Sequence, residues 1–550
     1  MKKIPYGLAD YKRVIEEDFY FVDKTHFIEK LENLNESYLL FLRPRRFGKS
    51  LFLAVLEAYY DRYYAKDFEL LFGDTYIGKN QTPLKNSFHI LRFDFSGIDS
   101  SDVENSFRKY LLSRLENFIY KYSLKVQLNE NPIILFNDIF KYLQENNLEL
   151  YILIDEYDNF ANKLLLQNKD SYLDIVSKTA LFKQFFTTLK TATSGNDSPL
   201  KRMFITGVTP MTMYDVTSGF NIGSNISLRK DFNDMVGFTQ SEVDELLKYY
   251  NVDVDKSLLK EWYNNYIFSQ KLPQPIYNTD MILYFINQYR VNENTIPSEM
   301  IDINVRSDYS KLRNIIYTNK RLNGNFDTLR TLIAGESVSL NNLIQDFSAL
   351  NLEDESNFKS LMFYLGLVTI KDKTFDLNLQ IPNETVKRID IDFLNDTLKV
   401  ENVFTLRVAH LEEHLKNFAL EGNIEIFNFL ANQIEENSSI RDYIYKEQHI
   451  KAMYIAYLSL VPYYIIKSEA ELQKGFADIL IKPFNNDYIK YFGLLEFKYI
   501  KREETPTPQK IEQLKTEATE QLNRYENDTL VTQYSNKGIT LKKVILIFHG

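Results

Sequence analysis

Apolar runs divide the first half of the chain into short segments separated by longer amphipathic stretches. Runs at residues 38–42, 88–97, 148–154 and 202–210 have the length and apolar content of buried strands. Between and after them, apolar residues recur with the helical period at residues 103–122, 134–144 and 180–191. Strands that alternate with helices predict an α/β domain built on a parallel sheet.

The second half of the chain changes pattern twice. Residues 228–290 are helical in period, with a capping box at Thr239 and Glu242, and residues 295–395 alternate helices with short strands near 367–370 and 375–379. Three strands then follow at 463–469, 475–481 and 491–499, a helix at 507–527 and a final strand at 544–548. We therefore predict four segments: a core at 1–225, a helical lid at 226–295, a middle linker or winged-helix-like region at 296–400, and a C-terminal domain at 401–550.

Composition agrees with several globular domains. The chain has 550 residues, which is too long for one core, and its 44% hydrophobic and 25% charged residues are ordinary for globular proteins. The complete lack of cysteine excludes disulfides, thiolate zinc sites and cysteine nucleophiles, and predicts a reducing, cytoplasmic location. No secretory signal follows Met1, and no apolar run is long enough to span a bilayer, so no membrane partner is predicted.

The charge balance limits how nucleic acid would bind. The net charge of −10 means that the surface as a whole does not attract phosphate backbones. Binding would require a local basic groove. Charge therefore neither establishes nor excludes a nucleic-acid partner.

A candidate phosphate-binding loop follows the first predicted strand. Residues 43–50 read Arg-Pro-Arg-Arg-Phe-Gly-Lys-Ser and precede a helix-prone stretch. Loop and helix N–H groups in such a unit converge on an anion; Lys49 would reach the β- and γ-phosphates, and the Ser50 hydroxyl would bind Mg²⁺. Arg43 stands where the P-loop pattern has its first glycine, so a basic turn before a helix is the alternative interpretation.

Two adjacent carboxylates end the third predicted strand. Asp155 and Glu156 follow the run at 148–154. In a P-loop ATPase the first would hold Mg²⁺ through water and the second would polarise the attacking water. A solvated acidic turn is the alternative. The polar end of the next strand adds Thr206 or Thr209 as a γ-phosphate sensor, or simply as strand-end hydroxyls.

A second group of charged residues lies near the C-terminus. Asp478 lies on one predicted strand, and Glu496 and Lys498 alternate on the next, so they share a face. Carboxylate oxygens suit Mg²⁺ or Mn²⁺, and a metal held there would activate water beside a scissile phosphate. Surface charges on alternating strands are the alternative. Gln521 and Tyr525 fall on one face of the helix that follows.

Together these motifs resemble the AAA-ATPase-like proteins that carry a C-terminal PD-(D/E)XK nuclease domain. The resemblance covers nearly the whole chain. It implies an additional-strand P-loop ATPase core, a helical lid and middle region, and an α/β nuclease-like domain, with ATP and Mg²⁺ as cofactors. The segments that carry it are 20–25, 46–50, 154–158, 206–208, 237–239, 364–366, 381–383 and 471–498.

The resemblance also implies roles for individual residues. The nucleotide set is Arg46, Gly48, Lys49, Ser50, Asp155 and Thr206, with Ser50 and Asp155 at the metal and Glu156 catalytic. The nuclease set is Glu471, Asp478, Glu496, Lys498, Gln521 and Tyr525, with Asp478 and Glu496 at the metal. Residues 8–34 resemble the segment that lies beside the adenine in such ATPases, with Asp23 or Thr25 as the N-cap of a helix.

One position departs from the pattern. The resemblance implies a Gly-Arg-x-Asp pattern, whereas this chain has Phe476 in place of the arginine and so lacks that arginine contact to the substrate phosphate. We predict a nuclease that cleaves DNA or RNA under nucleotide control. The alternatives are an NTP-dependent switch or scaffold that binds nucleic acid or protein without cleavage, and an ATPase with a purely structural C-terminal domain. Assembly into a homo-oligomer is left open.

Overall fold

The chain forms two compact units. The computed structural model describes all residues except 100, 160–179, 194–196, 218–222, 306–316, 319–320, 323, 401–407, 437–445, 474, 485–487, 527 and 550. The first unit comprises Met1–Asp302 and Leu340–Leu377, and the second comprises Ile303–Ser339 and Asn378–Gly550. The segment between the predicted lid and the C-terminal domain is thus divided between the two units.

Helices occupy much of both units. In the first unit they are α1 (Tyr11–Glu16), α2 (His26–Glu32), α3 (Lys49–Tyr60), α4 (Phe68–Phe72), α5 (Tyr76–Lys79), α6 (Val103–Tyr122), α7 (Pro132–Glu145), α8 (Ala180–Ala192), α9 (Met211–Thr217), α10 (Gln240–Tyr249), α11 (Lys256–Tyr263) and α12 (Thr279–Val291). The later helices are α13 (Gly324–Ile333), α14 (Glu355–Leu365), α15 (Glu384–Val400), α16 (Val408–Glu421), α17 (Glu425–Glu436), α18 (Glu447–Leu458), α19 (Pro508–Arg524) and α20 (Thr529–Asn536). None of the helices that the structure describes is long and apolar enough to cross a membrane.

Strands form the centre of each unit. They are β1 (Tyr38–Leu42), β2 (His89–Asp94), β3 (Leu150–Asp155), β4 (Leu200–Gly207), β5 (Ser224–Asn225), β6 (Tyr317–Thr318), β7 (Arg321–Leu322), β8 (Val338–Leu340), β9 (Thr369–Lys373), β10 (Leu377–Gln380), β11 (Tyr464–Leu472), β12 (Gly475–Pro483), β13 (Tyr491–Ile500) and β14 (Thr540–His549).

The sheet of the first unit is parallel, with strand order β2-β3-β4-β1-β5. β4 therefore lies between the strand that precedes the phosphate loop and the strand that ends in Asp155, which is the additional-strand arrangement. β3 is buried along its whole length, as its apolar run predicts. The order brings the carboxyl ends of β1, β4 and β3 side by side, with Leu42 paired to Gly207 and Ile154 to Ile205.

The sheet of the second unit mixes directions. Its order is β11-β12-β13-β14, antiparallel except for the last pair. α19 and α20 pack on it through a cluster that includes Ala477, Leu494, Leu522 and Val531. The final strand is longer than the sequence predicts, because an edge strand tolerates the polar stretch at 540–543.

Local signals predicted most element boundaries well. The helix predicted at 103–122 is confirmed, and so is the capping box, in which Thr239 and Glu242 each bond the other's backbone N–H. Thr25 occupies the N-cap position of α2, but its hydroxyl accepts a bond from Ile77 N instead of capping the helix. The helix predicted at 507–527 ends early, because Asp528 caps a new helix, α20, by accepting from Leu530 N.

Candidate nucleotide-binding and metal-binding sites

The phosphate loop is preorganised by its own lysine. Gly48 caps α3 with φ of 95°, a conformation that favours glycine. Lys49 is 5% exposed, and its Nζ donates to the main-chain oxygens of Arg43 and Pro44, at 3.0 Å each. The loop thus curls around the ammonium, with the N-terminus of α3 beside it.

The arginine that replaces the first loop glycine is part of the core. Arg43 is 1% exposed and its guanidinium lies 4.4 Å from the ring centres of both Phe41 and Phe268. It donates to the main-chain oxygens of Leu42, Ser227 and Phe232 at 2.6 to 2.9 Å. The side chain therefore points away from the loop interior and fastens it to neighbouring segments, so the departure from the glycine pattern has a structural role.

Removal of this anchor is expected to destabilise the first unit. Arg43→Ala would leave three buried carbonyls without donors and two aromatic faces without a partner, which costs about 3 kcal/mol. The loss should appear as a lower midpoint in urea unfolding followed by circular dichroism. Arg62→Ala, at an exposed position of the same unit, is the matched control and should leave the midpoint unchanged. Equal midpoints for Arg43→Ala and the wild type would contradict this role.

Asp155 lies at the end of β3, close to the tip of β4. It is 1% exposed, and its Oδ1 accepts from the Thr206 hydroxyl at 2.6 Å. Arg92 Nη2 lies 3.6 Å from Oδ2. Thr206 thus bonds the carboxylate of Asp155, which was predicted to hold Mg²⁺, and this bond orients Asp155.

Glu156 adopts an unusual backbone conformation. Its φ is 49°, and it lines the cleft over the phosphate loop with Lys49 and Ser50. Burial raises the pKa of Glu156, and Asp155 adds to the rise, while Lys49 and Arg45 oppose it. A carboxylate with a raised pKa in a cleft is suited to accept a proton.

Asp158 is a structural residue that the motif analysis did not assign. Its carboxylate accepts from Val208 N, Thr209 N and the Thr209 hydroxyl, at 2.7 to 3.2 Å. Thr209, the other candidate sensor, is therefore bonded to Asp158. The only sequence signal for this role is the position of Asp158, three residues after Asp155 at the edge where the strands end.

The cleft over the phosphate loop has a volume of about 280 Å³. Its lining includes Gly48, Lys49 and Ser50 from the loop, Tyr20 and Val22 from the N-terminal segment, and Gly237 and Thr279 from the segment predicted as a lid. The N-terminal segment thus lines the same cleft as the phosphate loop, and its position beside the adenine stays a prediction.

Residues of the predicted lid bind the phosphate loop directly. Phe47 O accepts from Gly237 N at 2.9 Å and from the Thr279 hydroxyl at 3.1 Å. Arg46, which has φ of 67°, donates through Nη1 to Asp280 Oδ2 at 2.7 Å. The structure therefore pairs this predicted nucleotide contact with a carboxylate from α12, a pairing that no local sequence signal indicates.

The charged residues near the C-terminus converge on one place in the second unit. Asp478 directly precedes Ile479 on β12, and Glu496 directly follows Leu495 on β13. Because Ile479 and Leu495 are paired in the antiparallel ladder, the two carboxylates lie on adjacent strands. Phe497 N donates to Asp478 Oδ2 at 2.8 Å, and Lys498 Nζ donates to Glu496 Oε1 at 2.8 Å. The predicted grouping of Asp478, Glu496 and Lys498 is thus present in the fold.

The carboxylate of Glu496 is buried and only partly hydrogen-bonded. It is 3% exposed, and its Oε2 has no hydrogen-bond partner among the described residues. Burial raises the pKa of Glu496, and Asp478 and Glu447 add to the rise, although Lys498 opposes it. A buried carboxylate oxygen without a donor, beside other carboxylates, fits a bound cation.

Two residues of α18 join this site. Lys451, with a side chain 4% exposed, lies 3.2 Å from Asp478 Oδ1 and also bonds Glu469. Glu447 lies one turn earlier, and its pKa is raised by burial and by Asp478. Sequence analysis missed both residues, although their spacing places them on one helix face.

The other predicted nuclease residues are placed differently. Glu471 is exposed on β11 and pairs with Phe476 across the ladder. Gln521 is half-buried on α19. Tyr525 is 3% exposed, and its hydroxyl donates to Phe476 O at 2.7 Å, so it holds the strand that carries Asp478.

Across the described residues, no group of three or more histidine, aspartate or glutamate side chains is placed to hold a metal ion. Mg²⁺ commonly binds through one or two carboxylates and keeps several waters. Asp478 with the unpartnered oxygen of Glu496 fits that requirement. At the nucleotide site, Ser50 lines the cleft over the phosphate loop, and Asp155 lies at the end of β3.

Fold and sites together define a P-loop ATPase core in one unit and a nuclease-type α/β domain in the other. Residues 5–217 match the family model described as predicted AAA-ATPase, and residues 445–550 match that of the PD-(D/E)XK nuclease superfamily. The chain therefore carries an AAA-ATPase-like domain followed by a C-terminal domain of the PD-(D/E)XK nuclease superfamily.

Similarity to individual proteins is more distant. An uncharacterized protein in the vnfD 5′ region of Azotobacter chroococcum mcd 1 is 26% identical over 293 residues, which is 52% of this chain and 52% of that protein. The chain thus spans about half the length of this curated relative. Two solved structures, Cdc6p from Pyrobaculum aerophilum and the Aeropyrum pernix Orc1 protein in complex with DNA, align at 12% and 11% identity, covering 71% and 72% of this chain and 98% and 94% of theirs. Their TM-scores of 0.23 and 0.24 are too low to bear on function.

Proposed function

We propose that this protein binds ATP and cleaves nucleic acid with a divalent metal, and that nucleotide occupancy controls the cleavage. The observation that carries the nuclease assignment is the unpartnered, buried Oε2 of Glu496 beside Asp478, with Lys498 bonded to the other oxygen. A pair of neighbouring carboxylates and one ammonium are groups that metal-assisted phosphodiester hydrolysis uses.

At the nucleotide site each residue has a separate task. The N–H groups of the loop and of α3, together with Lys49, would bind the phosphates, and Arg46 would contact them after leaving Asp280. Ser50 and Asp155 would hold Mg²⁺, and Thr206 keeps Asp155 oriented. When bound, Mg²⁺ would neutralise charge on the phosphates.

Glu156 is proposed to accept the proton of the attacking water. Glu156→Gln should therefore retain ATP binding and lose hydrolysis by about 100-fold or more. Because burial raises the pKa of Glu156, its carboxylate becomes protonated at a higher pH than an exposed glutamate, and wild-type hydrolysis should fall as the pH drops through that raised value. Phosphate release measured at intervals of about one pH unit between pH 5 and 8 checks this pH dependence.

The matched control is Glu104→Gln, at an exposed position on α6, which should keep wild-type hydrolysis and pH dependence. Undiminished hydrolysis by Glu156→Gln would remove Glu156 from this role. A wild-type rate that does not change towards acid pH would remove it as well.

At the nuclease site, Asp478 and Glu496 would hold Mg²⁺ or Mn²⁺, which when bound would lower the pKa of water and polarise the phosphate. Lys498 would stabilise negative charge that develops on the phosphate. Lys451 Nζ, 3.2 Å from Asp478 Oδ1, orients that carboxylate, and Tyr525 holds the strand that carries it.

Nucleotide control is proposed from contacts within the first unit. Gly237, Thr279 and Asp280 of the predicted lid all bond the phosphate loop. A phosphate that competes with Asp280 for Arg46 would change these contacts, so the lid would respond to nucleotide. Whether that response reaches the second unit is tested by the dependence of cleavage on nucleotide.

The test is a cleavage assay on the full chain. Single- and double-stranded DNA and RNA are incubated with Mg²⁺ or Mn²⁺, with ATP, a non-hydrolysable analogue or no nucleotide. We expect metal-dependent cutting whose rate changes with nucleotide. Nucleotide-dependent binding of nucleic acid without cutting under any metal would instead select the switch or scaffold function.

A further inference from the structure

The strand that carries Asp478 also presents an exposed aromatic ring. Phe476 is 56% exposed, whereas most phenylalanines of the described core are buried. It precedes Asp478 by two residues on β12, so both side chains leave the same face of the strand, about 7 Å apart along its axis. The ring thus lies close to Asp478, the proposed metal ligand, on the same strand.

The backbone around this ring is held firmly. Tyr525 Oη donates to Phe476 O at 2.7 Å. Gly475 has φ of 139°, and a Cβ there would lie 3.1 Å from Tyr525 Oη, so the tyrosine packs closely on the turn. At the other side of the hairpin, Gln473 N donates to Asp528 Oδ2 at 2.6 Å. The outward position of Phe476 is therefore set by contacts to the region around α19 and α20.

The surroundings favour a neutral, planar ligand. Glu471 pairs with Phe476 on the neighbouring strand and is exposed, so its negative charge disfavours a phosphate at this spot. A nucleobase is uncharged and flat, and its stacking on an aromatic ring is favourable for every base. In a duplex both faces of a base are already stacked, so only an unpaired base is available to the ring.

We propose that Phe476 is a stacking platform for the unpaired base of a nucleotide next to the scissile phosphate, and that the C-terminal domain acts on single-stranded or frayed nucleic acid. This inference rests on the proposed nuclease function and adds the substrate class. DNA and RNA share the required chemistry, and the test distinguishes them.

The experiment measures binding to fluorescent oligonucleotides in the full-length chain carrying Glu496→Gln, which prevents cutting. Phe476→Ala should weaken binding of single-stranded oligonucleotide by about tenfold and leave binding of a blunt duplex unchanged. Phe476→Trp should bind at least as tightly as the parent, and Phe476→Leu should behave like alanine, because stacking needs a ring. Matched DNA and RNA oligonucleotides show which nucleic acid is bound.

Base contact is read out separately with 2-aminopurine placed at successive positions of the oligonucleotide. Quenched emission at one position, restored by Phe476→Ala, is the expected signature of stacking. Equal losses for single strand and duplex, unchanged binding by Phe476→Ala, or binding by Phe476→Leu as tight as that of the parent would each overturn the inference. If the parent chain binds no nucleic acid, the proposed nuclease function fails with it, whereas binding that ignores Phe476 removes the stacking role alone.

Discussion

Glu496→Gln should abolish metal-dependent cleavage of nucleic acid while the protein stays folded. The substitution keeps the shape of the side chain and removes the charge that would bind the metal, so the rate should fall by at least about 100-fold. Cleavage is measured as product formed from labelled single- and double-stranded substrates with Mg²⁺ or Mn²⁺. Lys498 loses its carboxylate partner, but its side chain is 19% exposed and keeps contact with water.

The same substitution should not lower stability in metal-free buffer. Burial raises the pKa of Glu496, so the ionised side chain opposes folding once the pH exceeds the ordinary glutamate value. Glu496→Gln removes that cost, and its melting temperature should equal or exceed the wild-type value, with the larger advantage at neutral than at acid pH. Glu520→Gln, exposed on α19, is the matched control and should leave cleavage and melting unchanged. Retained cleavage in Glu496→Gln would refute the metal-site assignment.

Lys49→Ala should remove nucleotide binding. The ammonium is almost fully buried at the centre of the phosphate loop, where a charged bond to phosphate is poorly screened by water. Loss of one such partner costs roughly 2–5 kcal/mol, so the affinity for ATP should fall by about 30-fold or more. Titration with a fluorescent ATP analogue measures this, and the rise of the wild-type melting temperature with ATP and Mg²⁺ should be absent in the variant.

A control variant shows whether the loss of any lysine from this unit lowers the affinity for ATP. Lys109→Ala removes an exposed lysine from α6 of the same unit and should bind ATP like the wild type. If the ATP affinity of Lys49→Ala lay within a factor of about three of the wild-type value, the assignment of Lys49 to phosphate binding would be wrong. Comparison of cleavage by Lys49→Ala and wild type with ATP then tests nucleotide control directly.

The sequence predicts the phosphate loop and the Glu496–Lys498 pair because both depend on short-range pattern. A strand, a loop and a helix in succession place Gly48, Lys49 and Ser50 at a helix N-terminus. The alternation of residues along β13 puts Glu496 and Lys498 on one face, and the structure adds the bond between them. Such local periodicities set which side chains share a face of a helix or strand.

Only the tertiary structure decided which partners these residues meet. Arg43 departs from the loop pattern because distant segments supply two of its three carbonyl partners and the ring of Phe268, and Arg46 meets Asp280 from α12. Lys451 and Glu447 reach the nuclease site because α18 packs beside the sheet, an arrangement that no spacing within β12 or β13 specifies. Contacts between residues far apart in the chain arise from the packing of whole helices and strands, and a single sequence records the apolar faces that pack but not which faces meet.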